Sequence, residues 1–103
     1  MNEHKFSVLA IGTNTGATAS EAAVTGKHHF VTCVSGHTDK DSIIQVLDGT
    51  TVVWENKFDI TLEGTSFHFP ELCIPCTGGA KADAKLSSST TDCAITINGY
   101  TIP

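Results

Sequence analysis

The segment from Ile43 to Leu62 constrains this chain most. It reads as two short apolar runs rich in β-branched residues, Ile43 to Leu47 and Thr51 to Trp54, joined at Asp48 and Gly49, with a third run behind them. Asp-Gly between such runs is a strong hairpin signal, because a two-residue turn needs positive φ and these residues tolerate it. Phe58, Ile60 and Leu62 then alternate with Asp59, Thr61 and Glu63. A period of two puts apolar groups on one face of a strand and polar groups on the other. The segment predicts a meander of half-buried strands, and it contains no catalytic motif.

The same rhythm runs through the rest of the chain. Phe6 to Ile11 reads as a strand, followed over 12–20 by the small, polar composition of a linker. Glu21 to Val24 reads as a short strand. Lys27 to Ser35 reads as a central one, since Phe30, Val31, Cys33 and Val34 place apolar groups on both faces. Gly36 to Asp41 is a polar loop in this reading. Thr65 to Phe69 is a strand stopped by Pro70, and 70–81, with Pro70, Pro75 and the Gly78-Gly79 pair, is a long irregular loop. Ala82 to Ser88 alternates with Ala82, Ala84 and Leu86 inward, and 88–91 turns the chain. Ala94 to Ile97 and Tyr100 to Ile102 flank Asn98-Gly99, either a second hairpin or one bulged strand. Some eight strands at spacings of about 8–12 residues predict an all-β antiparallel sandwich or jelly roll. The expected division is an N-terminal arm and linker over 1–19 and a sandwich over 20–103. The arm's strand either closes its own sandwich or adds to a neighbour's sheet edge.

Composition removes several classes of function. Hydrophobic residues are 40% of the 103, enough for the core of a single domain. Threonine is the commonest residue, which suits pleated strands, and no window has helical periodicity. The formal net charge is −5 and arginine is absent. Arginine is the usual bidentate ligand of phosphates and guanines, so nucleic acid is not an expected partner. The lysines (Lys5, Lys27, Lys40, Lys57, Lys81 and Lys85) are scattered and form no basic stripe. Met1 to Lys5 is polar, the apolar run after it is too short for a signal peptide's core, and nothing approaches a membrane span. The expectation is cytosolic synthesis, with cysteines reduced and no membrane partner.

Cys73-Ile74-Pro75-Cys76 is the one chemical-looking motif. A redox pair sets its first cysteine at a helix N-terminus, and Thr77-Gly78-Gly79 follows here instead. A structural zinc site would need Cys33 and Cys93 to converge on the pair. Disulfides are a further alternative for the four cysteines. The plain reading makes Cys33 and Cys93 small buried hydrophobes. His28 and His29 are adjacent and point to opposite faces. His29 and Cys33 share a face by simple alternation, but four residues of strand hold them about 13 Å apart, too far for one ion. His37 falls in a loop and His68 on a strand. Ser35-Gly36-His37 lacks a nucleophile-elbow pattern, Asp39 and Asp41 lack the further oxygens of a calcium loop, and no phosphate-cradling glycine motif occurs. Trp54 is expected in the core rather than as an exposed sugar platform. No catalytic residue, no metal and no cofactor is expected, and the chain is not read as an enzyme.

Three stretches carry a resemblance: Glu21 to Thr32 with its Thr25-Gly26-Lys27 opening, Val46 to Glu55 with its central Asp48-Gly49 hairpin and Trp54, and the ending Ala94 to Ile102 with Gly99-Tyr100-Thr101-Ile102. Over most of residues 20–103 the chain resembles small virion structural proteins of tailed bacteriophages. The resemblance implies a sandwich or jelly roll that coats or cements capsids or builds fibres and tail parts, commonly as a trimer, with no enzymatic activity. The cysteines lie outside that pattern. The resulting expectation is a capsid decoration or cement protein, made in the host cytoplasm and located in the virion, with the major capsid protein or other virion proteins as partners. A tail- or head-fibre module for host recognition, binding glycan, is the alternative. Phe6, Val8, Leu9 and Ile11 of the arm are the expected interface residues.

Overall fold

The strands are wound as a hairpin rolled onto itself. The computed structural model describes residues 4–13, 15–87 and 92–103. Its strands are β1 (His4–Gly12), β2 (Ala17–Glu21), β3 (His28–Thr38), β4 (Ser42–Asp48), β5 (Thr51–Phe58), β6 (Ser66–Phe69), the two-residue β7 (Ile74–Pro75), β8 (Ala82–Ser87) and β9 (Cys93–Ile102). The first sheet runs β1-β9-β3-β6, with β7 also on β3, and the second runs β2-β8-β4-β5. Every pairing is antiparallel: β1 with β9, β2 with β8, β3 with β6 and β4 with β5. First strand with last, second with next-to-last, and so inward to the central hairpin is the winding of a jelly roll.

That winding decides between the two readings of the N-terminal strand: it closes its own sandwich, and the residues expected as an arm are part of the domain. β1 is hydrogen-bonded to β9 along its whole length, from His4 opposite Thr101 to Gly12 opposite Cys93, so these residues are part of the sandwich. The strand foreseen at Glu21 to Val24 lies earlier, from Ala17 to Glu21, inside the expected linker. The short span between β1 and β2 therefore crosses from one sheet to the other. Its corner is fastened by the Cys93 thiol, which points at the Gly12 and Thr15 carbonyl oxygens at 3.7 and 3.5 Å.

The core fills the space between the sheets. Phe6, Val31, Val34, Phe67, Cys93, Ile95 and Ile97 come from the first sheet; Ala17, Ala19, Ile44, Val46, Phe58, Ala82, Ala84 and Leu86 come from the second. The alanines of β2 and β8 make room for the bulkier side chains opposite, the size alternation that lets two sheets interdigitate. Ala82, Ala84 and Leu86 point inward as their alternation foretold. Trp54 is half-buried, edge-on to Phe69 with ring centroids 5.1 Å apart.

Local chemistry overrides simple alternation in two places, and a third site settles a choice that the sequence leaves open. The register of β3 against β9 slips between Val31 and Cys33. This bulge at Thr32 keeps Val31 and Val34 both inward, and it turns Cys33 to the side opposite the buried His29. The two do not share a face. Ile60–Glu63, expected as the third strand of the meander, is a helical turn: the Asp59 carboxylate accepts from the Thr61 backbone N–H at 2.9 Å, and Gly64 ends the turn at φ 81°. Cys93–Ile102 is one strand, and Asn98-Gly99 makes no hairpin. Gly99 faces Phe6 across the ladder, and a methyl added there would stand 2.6 Å from the Phe6 ring and 2.0 Å from the Phe30 carbonyl oxygen. Gly36 faces Phe67 in the same way. In both pairs a ring lies over glycine backbone, a known way to rescue a glycine within a sheet. The real hairpin is at Gly49, with φ 64°, between Asp48 and Thr51. The turn expected at 88–91 lies outside the described residues.

Candidate functional site

Two histidine and cysteine sites are structural. His29 is fully buried, with Nδ1 2.7 Å from Thr101 Oγ1 and Nε2 2.8 Å from the Ala22 carbonyl oxygen. Nε2 donates to the carbonyl and Nδ1 is hydrogen-bonded to the hydroxyl, so both ring nitrogens are used. It ties the loop after β2 to the end of β9, and Phe6 packs edge-on against it at 5.4 Å. Cys76 is buried at the opposite end of the sandwich from Cys93. Burial, with Asp48 and Asp83 nearby, pushes its thiol up from its ordinary value near 9.0 to about 11. Asp48 is itself held by Thr77, whose backbone N–H and hydroxyl donate to its carboxylate at 3.0 and 2.7 Å. Asp83 is held by Ser20 and Lys81. Carboxylates raise a thiol's pKa, so this environment opposes a reactive thiolate.

The four cysteines do not come together. All are free thiols, with Cys73 exposed and Cys76 and Cys93 buried. Cys33 pairs in register with Asn98, whereas Cys93 lies opposite Thr38 at the far end of β3. Among the described residues no three His, Cys, Asp or Glu side chains group as a metal site. Cys33 and His68 do meet: Sγ stands 3.8 Å from Nδ1 on the outward face of the first sheet, across the β3–β6 pairing.

Charge is divided between the sheets. No strand of the first sheet contains Asp, Glu or Arg, and Lys5 is its one lysine. The strands of the second carry Glu21, Asp48, Glu55, Lys57, Asp83 and Lys85. The first sheet's outward side chains include Ser7, Leu9, Ile11, Phe30, Cys33, Ser35, Thr96, Asn98 and Tyr100. The Phe30 and Tyr100 rings lie nearly parallel, 5.2 Å apart. Of the expected interface residues, Phe6 is buried and Val8 packs on the core. Leu9 and Ile11 are 60% and 70% exposed, on the edge strand β1. An open hollow of about 460 Å³ is lined by Lys5, Ser7, Thr32, Asn98 and Tyr100 on that face; another of about 370 Å³ lies by Asp41, Lys57 and Asp59.

No protein-family model, no curated protein and no solved structure matches this chain.

Proposed function

We propose that this chain is a virion structural protein of a tailed bacteriophage, a decoration or cement protein that binds the head shell and stabilises it. It acts as a homo-oligomer, its partner is the major capsid protein, and it performs no catalysis. The observation that carries this reading is the partition of charge: a chain of net charge −5 keeps one whole sheet almost free of charge and places Leu9 and Ile11 on its exposed edge strand. Large uncharged faces with apolar side chains mark surfaces that other molecules cover. The open backbone edge of β1 is a template for strand addition, the mode by which a small β domain grips a neighbour. The jelly-roll winding adds support by analogy, because viral capsid domains use it, although lectins and cupins do as well. The sequence likeness to small phage virion proteins points the same way. For the glycan-binding alternative an exposed aromatic platform is wanted: Trp54 turns inward onto Phe69, and the outward Phe30–Tyr100 stack is the aromatic surface that reading would use.

The mechanism is mechanical. A rigid sandwich spans neighbouring capsomers, and many weak contacts repeated by symmetry add up to a large resistance to internal pressure. Heads purified without the protein should bind added protein saturably, at a fixed ratio to capsid subunits, and rupture at a higher temperature afterwards. Heads that neither bind it nor gain resistance would refute the assignment.

A further inference from the structure

Cys33 and His68 form half of a metal site. Two ligands of a tetrahedral zinc ion, one thiolate at ~2.3 Å and one imidazole nitrogen at ~2.05 Å, stand about 3.6 Å apart. Sγ of Cys33 and Nδ1 of His68 stand 3.8 Å apart, so small side-chain movements suffice to seat one ion between them. The pair is reachable: His68 is exposed and Cys33 half-exposed, on the outward face of β6 and β3. A closed structural site needs four ligands, and no third His, Cys, Asp or Glu among the described residues joins these two.

We propose that a second copy of this chain supplies the other two ligands, so that one zinc ion held by two Cys33 thiolates and two His68 imidazoles joins a pair of first sheets face to face. Charge selects the occupant. Copies of net charge −5 repel one another wherever carboxylates meet, and the first sheet is the surface whose strands carry none. Two thiolates cancel the charge of Zn²⁺, so the assembled site adds no charge to the contact. Each Cys33 thiol releases its proton to solvent as the ion binds.

Geometry agrees. Cys33 lies midway along β3 (His28–Thr38), so a two-fold axis across the strands at that level superposes the two sheets over most of their area. Sheets packed face to face lie ~10 Å apart. The ion then sits ~5 Å above each sheet, within reach of a cysteine side chain plus its Zn–S bond. The strands β1, β3, β9 and β6, of 9, 11, 10 and 4 residues, at ~3.3 Å per residue and ~4.8 Å apart present roughly 500 Å² per copy, near the lower bound for a specific interface before the metal's contribution is added. Leu9 and Ile11 are covered in such a pair, so the dimer takes up the face that the shell-binding reading uses and leaves the open edge of β1 and the charged second sheet for any further partner. The inference does not depend on the virion assignment.

The test is mass in solution against zinc. Chelator-treated protein should run at its monomer mass of 10.8 kDa, and half an equivalent of zinc should double it. Native mass spectrometry should then find one zinc per two chains, and Co²⁺ in its place should give the thiolate-to-cobalt charge-transfer band of a tetrahedral site. Cys33→Ser and His68→Ala should each abolish the doubling while leaving the melting curve of the metal-free protein unchanged; Cys73→Ser should leave the doubling intact. A chain that stays monomeric at every zinc concentration, a trimer that ignores zinc, or a dimer dissolved by reductant rather than chelator would each overturn the proposal.

Discussion

At the residue scale, satisfied polar groups account for more of this molecule than reactive ones. His29 is buried with both ring nitrogens used, so His29→Ala leaves the Thr101 hydroxyl and the Ala22 carbonyl without their partner and opens a cavity beside Phe6. The expected cost is about 3 kcal/mol, read as a lower urea midpoint at unchanged slope. Cys76 makes a prediction in pH. Its folded pKa is raised, so the stability it contributes is complete below the ordinary thiol value near 9.0 and is lost as pH rises from there through about 11. Thermal melts of the native protein should therefore fall over that window, and Cys76→Ala should flatten the fall. A slope that Cys76→Ala leaves unchanged would place its origin elsewhere. The sequence disclosed the residue types at these positions but not their surroundings. The environment of Cys76 is built by Asp48 and Asp83, brought in by two other strands. The meeting of Cys33 with His68 depends on the β3–β6 register, across thirty-five positions of sequence.

At the scale of elements, the period of two served well where nothing interrupted it and misled where something did. Ala82, Ala84 and Leu86 alternate cleanly and lie in the core. In β3 a single extra residue reverses the faces, and the spacing of Val31 and Val34 was its only trace in the sequence. Ile60 and Leu62 imitate an alternating strand, yet Asp59 and Gly64 are the capping residues of a helical turn, and Leu62 ends 83% exposed. Asn98-Gly99 fits either a hairpin or one continuous strand in the sequence; the structure has the strand, and Gly99 leaves room for the Phe6 ring. That role yields a prediction. Gly99→Ala should destabilise by at least about 3 kcal/mol, since the added methyl meets backbone that cannot yield. Gly26→Ala, by contrast, meets no atom within 4 Å and has only its positive φ of 77° to overcome, so it should cost about 1 kcal/mol. Paired chemical-denaturation curves compare them directly, and equal losses would refute the packing role of Gly99.

At the scale of the whole molecule, the jelly roll closes its first strand onto its last, with His4 opposite Thr101. The sequence leaves the first strand free to close its own sandwich or to reach a neighbour; no local pattern chooses, because only the sheet order distinguishes a tether from a corner, and the order makes it the first lap of the winding. Pairing of that sequence separation forms slowly, so refolding from urea should take milliseconds to seconds rather than microseconds. The finished object has one charged sheet, one nearly uncharged sheet and an open edge, and the proposal is that the open edge and the uncharged face serve assembly, with copies of this chain and with a shell. Its most direct test is copy number in purified phage particles encoding the chain, by quantitative mass spectrometry against the major capsid protein. Hundreds of copies per particle, in a fixed ratio to capsid subunits, is the result expected of a cement protein. A handful of copies would move the chain to a tail or fibre, and particles without it would contradict the account.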